Sequence, residues 1–292
     1  MDRPMTDKAS DTSSEYSPAD SDAADVSDEI AEEAADEADN PNEFTLDDEF
    51  LASRGFFAAA DKPHRVALEM RGVKRRLLRR LGFSRRRDSD KRNGNTVLVT
   101  STRPAEGKTF TAINLALSLV AEDGIGTVLI DADAPRPRVL HQLGIPNNRQ
   151  GLMELLSKKE GVTLDDCLLN ERFRPFSILP VGTPPCPQTE LFAQNEAKTL
   201  LREISNRFSD RLVIVDSPPV LAMPDAVLLA PLVDEVIFVV EANATSEPAV
   251  ATAIDELLEV NEKVSLILNK CLVPGEAAHY YSYEEYYSRK GG

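Results

Sequence analysis

Six short runs of mostly apolar, often β-branched residues constrain the fold of this chain. They lie at residues 97–100, 127–130, 177–181, 212–215, 235–240 and 264–268. Amphipathic segments with helical spacing separate them, at residues 109–121, 190–207, 224–231 and 246–260. Strands that are apolar almost throughout are covered on both faces, and strands that alternate with helices usually pair in parallel. The pattern therefore predicts a three-layer α/β fold with a mostly parallel central sheet and a ligand crevice at the carboxyl ends of its strands.

Charge divides the chain into unlike parts. Residues 1–50 contain 18 acidic and two basic residues, so this segment accounts for the whole formal net charge of −16. It has few apolar residues and cannot offset the entropy lost on ordering. We therefore expect a disordered acidic leader over residues 1–62.

The number and spacing of the cysteines, and the lengths of the apolar runs, indicate in which cellular compartment the protein folds. Cys167, Cys186 and Cys271 are odd in number and lack metal-ligand spacing, which favours buried thiols in a reducing environment. No run approaches eighteen apolar residues, and the acidic, polar start is unlike a secretory signal. These features predict a cytoplasmic protein.

A basic helix is predicted after the leader. Residues 71–92 contain eleven Lys or Arg, and Met70, Val73, Leu77 and Leu81 form one apolar stripe. Such a helix can pack on its own domain, dock on a sister subunit or lie on an anionic membrane. Nucleic acid is disfavoured because no aromatic residues stand among the basic ones.

A phosphate-binding loop follows the first apolar run. The chain passes from that strand into Thr102-Arg-Pro-Ala-Glu-Gly-Lys-Thr109 and then into a helix. This arrangement directs backbone N–H groups and the helix N-terminus at phosphate oxygens. Lys108 would reach the β- and γ-phosphates, Thr109 would bind Mg²⁺, and Gly107 would let the backbone approach closely. Thr102 stands where the common form of this motif has glycine.

Carboxylates follow two further predicted strands. Asp131 and Asp133 come after the run at 127–130, and Asp216 comes after the run at 212–215. Parallel strands place these ends beside the phosphate loop, where carboxylates can hold Mg²⁺ and orient or deprotonate a hydroxyl. One such Asp often only caps a helix. Three beside Gly-Lys-Thr predict an ATP and Mg²⁺ site.

Five of the six tyrosines lie in the last thirteen residues, within HYYSYEEYYSRKGG. These are Tyr280, Tyr281, Tyr283, Tyr286 and Tyr287. The interleaved serine and glutamates disfavour a buried aromatic strip, and residues 274–292 lack apolar periodicity, which predicts a mobile tail. A nucleotide site and a hydroxyl-rich tail together suggest an enzyme that carries its own substrate.

Three motifs resemble the Walker A, A′ and B motifs of the bacterial tyrosine autokinases of exopolysaccharide and capsule loci. The matching residues are Ser101-x-x-Pro104-x-Glu106-Gly107-Lys108-Thr109, then Ile130-Asp131-Ala132-Asp133 with Arg136-Pro137, and Ile214-Val215-Asp216-Ser217-Pro218-Pro219. The tyrosine cluster resembles that family's autophosphorylation cluster. The chain looks most like the autokinases of exosortase-linked loci, over roughly residues 65–292. It departs at Ala134-Pro135, where the family often has Leu-Arg, and at Leu68, where the family's oligomer helix has Glu.

The resemblance implies the fold of the MinD-like P-loop ATPases and a role for each matching residue. Lys108, Asp131 and Asp133 would be catalytic, and Thr109, Asp131 and Asp216 would bind Mg²⁺. ATP would contact Ser101, Arg103, Pro104, Ala105, Glu106, Gly107, Lys108, Thr109, Phe110 and Asn269. The five tail tyrosines would be acceptors, phosphorylated in trans. The implied parts are the acidic leader (1–62), the basic helix and linker (63–93), the P-loop kinase core (94–272) and the tyrosine-rich tail (273–292).

The resemblance also implies partners. These are sister subunits in a ring, a membrane activator of the chain-length-determinant type and a cognate phosphotyrosine phosphatase, with no nucleic acid. The kinase would then be cytoplasmic and recruited to the inner face of the membrane.

Two other functions fit parts of the sequence. A MinD/ParA-like positioning ATPase would share the fold, but Arg103 stands where such proteins carry a second lysine. An ATP-gated, non-catalytic scaffold of a polysaccharide export complex would use the tail as a binding strip. The intact Lys108, Thr109, Asp131, Asp133 and Asp216 favour the kinase.

Overall fold

The computed structural model describes residues 40–57, 65–83, 94–183 and 188–271, and the described residues from Asn42 to Cys271 form one compact unit. Within these ranges the sheet has eight strands in the order β1-β4-β5-β3-β6-β2-β7-β8. The strands are β1 Glu43–Phe44, β2 Thr96–Ser101, β3 Thr127–Asp131, β4 Leu169–Glu171, β5 Phe176–Leu179, β6 Leu212–Asp216, β7 Glu235–Glu241 and β8 Val264–Asn269. Every pairing is parallel except that of β4 with β5.

Helices cover both faces of the sheet. They are α1 Asp48–Ser53, α2 Arg65–Leu81, α3 Lys108–Asp123, α4 Val139–Gln142, α5 Leu152–Leu156, α6 Leu164–Cys167, α7 Gln188–Phe192, α8 Asn195–Arg207, α9 Asp225–Leu229 and α10 Glu247–Leu258, with a short 3₁₀ turn at Ala230–Leu232. In the part of the chain described, no helix has both the length and the apolar character needed to cross a bilayer.

The centre of the sheet is apolar on both faces. All residues of β2, β3 and β6 are buried, as is nearly all of β7. Alternate residues of one strand point to opposite faces, so Val97 and Val99 pack in one apolar cluster while Leu98 packs in another. The six predicted strands and the three-layer α/β architecture are confirmed.

Two strands and four short helices were not predicted from the sequence: β1, β4, α1, α4, α5 and α6. Residues 43–57, which we expected within a disordered leader, form β1 and α1, with Leu46, Leu51 and Phe56 in the core. The Asp47 carboxylate starts α1 by accepting N–H groups of Glu49 and Phe50, at 2.9 and 3.0 Å. Composition averaged over a long acidic segment hid these few apolar residues. β4 escaped because it is only three residues long.

Helix α2 packs on its own domain, through the apolar stripe that the sequence shows. Leu77 and Leu81 are buried against α3. The helix spans 17 residues, and Arg80 Nε lies 2.6 Å from Glu235 Oε1 at the start of β7. Its apolar face is therefore already covered, while Arg75 and Arg79 point to solvent.

One predicted helix is divided. The segment 190–207 forms α7 and α8, which are separated at Ala193 and Gln194. Leu191 and Phe192 of α7 are buried, so the break lets α7 pack into the core independently of α8. The five tail tyrosines and Cys186 lie outside the described residues.

Candidate functional site

The predicted phosphate loop joins the end of β2 to the start of α3. Helix α3 begins at Lys108, so its first N–H groups face the loop. Ala105 and Gly107 have positive φ angles, 71° and 98°. A Cβ at residue 107 would lie 2.0 Å from Asn269 Nδ2, so both the backbone angle and the available space require glycine there.

Glu106 fixes the shape of this loop from within. Its buried carboxylate accepts the N–H groups of Thr102, at 2.7 Å, and of Arg103, at 3.0 Å. Its other oxygen accepts the hydroxyl of Thr245, from the segment after β7. Glu106 was predicted to contact ATP, but these bonds give it a supporting role behind the loop.

The end of β8 holds the loop from the other side. Asn269 Nδ2 donates to the Glu106 carbonyl at 2.9 Å. Lys270 Nζ donates to the Ala105 carbonyl at 2.8 Å and pairs with Glu241 at 2.9 Å. Asn269 was predicted to contact the nucleotide base, and the structure places its amide against the loop backbone.

Lys108 and Asp133 form an ion pair across the site, between Nζ and Oδ2. Asp133 Oδ1 also accepts the Arg136 N–H at 3.2 Å. Both charged side chains are almost fully buried, so the pair is shielded from water. The lysine predicted to bind phosphate and one predicted catalytic carboxylate are therefore in direct contact.

Asp131 is held by backbone groups of the segment after β3. Its Oδ1 accepts the N–H of Asp133 at 3.2 Å, and its Oδ2 accepts those of Arg138 and Val139, each at 3.1 Å. Burial raises the pKa of Asp131 well above its usual range, and the nearby Asp216 carboxylate raises it further. The hydrogen bonds favour Asp131 as the anchor of the 133–139 segment.

Asp216 lies opposite Asp131 at the ends of β6 and β3. It is fully buried, and its carboxylate accepts no backbone N–H among the described residues but lies near the Thr109 hydroxyl and the Lys108 ammonium. Burial raises the pKa of Asp216, while the Lys108 ammonium opposes that rise. A buried carboxylate with open acceptor positions fits a residue that binds a cation.

Mg²⁺ is the cation that this arrangement suits. Among the described residues, no cluster of three or more His, Cys, Asp or Glu side chains could form a metal site alone. Mg²⁺ in nucleotide sites usually takes only one or two protein ligands and completes its shell with phosphates and water. Asp216 and the neighbouring Thr109 hydroxyl fit that mode.

A pocket of about 440 Å³ opens above the phosphate loop. Its lining contains seven predicted site residues: Pro104, Ala105, Gly107, Lys108, Thr109, Phe110 and Asp133. Six predicted site residues lie outside this lining: the buried Ser101, Glu106, Asp131 and Asp216, the partly buried Asn269 and the exposed Arg103. The lining also includes residues that the sequence analysis did not assign to the site: Pro135, Arg138, Gln142, Ala222 and Met223. Their proximity to the motifs in sequence was the only signal that could have found them.

Comparison with known proteins places this site in a family. No family model matches the chain. It is 32% identical to the tyrosine-protein kinase YwqD of Bacillus subtilis over 173 residues, covering 59% of this chain and 70% of YwqD. It is 30% identical to the tyrosine-protein kinase CpsD of Streptococcus agalactiae over 192 residues, covering 65% of this chain and 81% of CpsD.

Comparison with solved structures also finds similarity to a bacterial tyrosine kinase domain. The kinase domain of VpsO superposes with a TM-score of 0.60 at 30% identity, over 71% of this chain and 95% of that domain. A MinC:MinD complex from Aquifex aeolicus gives a TM-score of 0.51 at 21% identity, over 64% of this chain and 72% of that one, a likeness of fold alone. Because similarity to the kinases covers most of their length while similarity to MinD is confined to the fold, the chain belongs to the bacterial tyrosine-protein kinases.

Proposed function

We propose that this kinase transfers the γ-phosphoryl group of ATP to the tyrosines of its own C-terminal cluster, with one subunit acting on the tail of another. The observation that supports this best is one pocket in which Lys108, Thr109 and Asp133 meet, with Asp216 directly behind them. Phosphoryl transfer needs mainly positioning and charge neutralisation, and these side chains supply both.

Lys108 would bind the β- and γ-phosphates from the start of α3, where the helix N-terminus also attracts anions. Thr109 and Asp216 would hold Mg²⁺, which when bound neutralises charge on the transferred group. Binding of ATP would draw Lys108 away from Asp133. The freed Asp133 carboxylate would then accept the proton of the incoming tyrosine hydroxyl.

Asp131 would act one step further from the reacting atoms. Its carboxylate holds the backbone of Asp133, Arg138 and Val139. It would therefore keep Asp133 aimed into the pocket and reach Mg²⁺ through water.

The tail is long enough to reach a site. Tyr280 lies nine residues after Cys271, which corresponds to about 31 Å of extended chain. This length permits transfer within one subunit or between subunits. The family resemblance is what favours transfer between subunits.

The same resemblance supports proposals for partners: sister subunits in a ring, a membrane activator of the chain-length-determinant type and a phosphotyrosine phosphatase, with no nucleic acid. Exopolysaccharide polymerisation or export would be the regulated process, and the cytoplasmic kinase would work at the inner face of the membrane. The arginines that α2 exposes, Arg75 and Arg79, are available to such a surface.

The test is phosphotyrosine mapping by mass spectrometry after incubation with ATP and Mg²⁺, with and without a candidate activator. A chain with Lys108→Ala and an intact tail is mixed with an intact kinase whose five tail tyrosines are replaced by phenylalanine. Label on the tail of the Lys108→Ala chain would establish transfer between subunits. If only the unmixed, unmodified chain is labelled, transfer occurs within one subunit. If nucleotide binds and no label appears under any condition, the proposal is wrong.

A further inference from the structure

The two walls of the pocket differ in chemistry. One wall comes from the segment after β6 and is apolar, with Pro218, Pro219, Ala222 and Met223. A second part of the lining comes from the segment after the neighbouring strand β3 and presents Arg136 and Arg138. A tyrosine ring would pack against the first wall, and anionic groups beside it would face the second.

The backbone of both arginines is fixed at the catalytic carboxylates. The Arg136 N–H donates to Asp133 Oδ1 and the Arg138 N–H donates to Asp131 Oδ2. Both side chains are exposed, and neither guanidinium has a hydrogen bond or ion pair within the described residues. The structure thus holds two uncommitted positive charges at the mouth of the pocket.

These arginines set the net charge of the lining. Lys108 and Asp133, the other charged residues that line the pocket, are paired with each other. The remaining positive charge belongs to Arg136 and Arg138. An acceptor segment with a negative charge next to its tyrosine would therefore bind more tightly than a neutral one.

The tail has such a charge next to its acceptors. Glu284 and Glu285 lie directly between Tyr283 and Tyr286. Each phosphate added to a tyrosine brings about −1.5 to −2 further charges near pH 7, in a form that pairs well with guanidinium groups. The only positive charges in residues 280–292 are Arg289 and Lys290, beyond the last tyrosine.

We propose that Arg136 and Arg138 select acceptor tyrosines by binding an anionic side chain next to the acceptor, a glutamate at first and a phosphotyrosine afterwards. This inference rests on the proposed function, because it assigns the substrate class of the same site. It makes acidic tyrosine peptides the preferred substrates. It also makes the cluster self-priming, since each phosphorylated tyrosine improves binding of its neighbour.

The experiment uses the full chain with all five tail tyrosines replaced by phenylalanine, so that only an added peptide is labelled. The peptide spans residues 279–292, with Glu284 and Glu285 intact or both replaced by Gln. The kinase is tested without further change, with Arg138→Gln, with Arg136→Gln together with Arg138→Gln, and with Arg202→Gln as a matched control. Arg202 is exposed on α8, near the amino-terminal ends of the strands and away from the phosphate loop.

We expect Arg138→Gln to raise the KM for the intact peptide about two- to fivefold, with kcat and the KM for ATP unchanged. The double arginine variant should raise it further, and Arg202→Gln should have no effect. With the kinase that has both arginines, the KM for the Gln peptide should exceed the KM for the intact peptide by a similar factor. Replacing the arginines should raise the KM for the Gln peptide little further. A labelled peptide with phosphotyrosine at position 286 should bind more tightly than the plain peptide, as followed by fluorescence anisotropy, and Arg138→Gln should remove that gain.

Equal KM values for the intact and Gln peptides would overturn the inference, as would a rise confined to the KM for ATP, which would assign the arginines to the nucleotide. If the kinase with unmodified arginines labels neither the peptide nor the tail of the Lys108→Ala chain, the proposed function fails instead. Anisotropy then decides the inference separately, because peptide binding requires no turnover.

Discussion

Asp131 and Asp216 occupy paired register positions at the carboxyl ends of neighbouring parallel strands, so their two buried carboxyl groups lie close together. Each raises the free energy of the other's ionised form, as like charges do in a desolvated site. A proton on Asp131, whose pKa burial and Asp216 raise to about 8, therefore relieves this repulsion in the nucleotide-free protein, at the place where a cation is expected.

Asp216→Asn should stabilise the nucleotide-free protein near neutral pH and abolish Mg²⁺-dependent kinase activity. The expected gain is about 1–3 kcal/mol, because burial disfavours the ionised carboxylate more than the nearby Lys108 ammonium and Thr109 hydroxyl favour it. This corresponds to a rise in Tm of about 2–4 °C per kcal/mol for a domain of this size. Thermal unfolding without nucleotide measures it, and a lower Tm would show that the carboxylate is compensated in a way not seen here.

The same two residues predict how stability depends on pH. Their folded pKa values are raised, so the folded protein holds protons that the unfolded chain releases. Their contribution to the free energy of unfolding is present below the unfolded pKa of about 4 and is lost as pH rises through the higher folded values. Between about pH 5 and pH 8, the Tm of the unmodified protein should fall relative to the Tm of Asp216→Asn. A constant difference between the two Tm values over this range would contradict the prediction.

Lys108→Ala should reduce autophosphorylation at least about 10²-fold, because phosphate charge is left unneutralised and Asp133 loses its partner. Lys158→Ala is the matched control, since Lys158 pairs with Glu196 at 2.8 Å on the surface of the same domain. Phosphotyrosine formation and ATP titration measure the two effects. Activity retained in Lys108→Ala would remove this lysine from the mechanism.

Asp133→Asn separates binding from chemistry. Loss of a catalytic base should lower kcat about 10²- to 10⁴-fold. ATP should bind as tightly as before or more tightly, because Lys108 no longer has to leave an ion pair. A loss of ATP affinity together with unchanged kcat would assign Asp133 to nucleotide binding.

Leu51→Ala tests whether the segment 43–57 belongs to the fold. Leu51 is fully buried, and truncation of a buried leucine typically costs about 2–5 kcal/mol. Glu49→Ala in the same helix changes an exposed side chain and should leave the Tm nearly unchanged. Equal Tm values for the two variants would show that residues 43–57 are not part of the folded domain.

The fold and the site could be predicted from the sequence wherever a residue pattern is compatible with only one kind of structure. Buried runs such as the one ending at Asp216 became parallel strands, and their order along the sheet brought Lys108, Asp133 and Asp216 together. The sequence was insufficient where an isolated contact decides the structure. Leu51 is buried within an acidic stretch, and nothing in the spacing of Glu106 and Thr245 indicates that they bond.

Pairing of β1 with β4 places the first described strand at one edge of the sheet, opposite β8, the strand that precedes the tyrosine-rich segment. Seven strand spacings separate β1 from β8, a distance of about 34 Å. Anything attached before Asn42, whether a binding protein, a surface or a purification handle, is thus anchored well away from the strand that leads into the acceptor tyrosines. The enzyme has two separate attachment points, and one can be occupied without crowding the other.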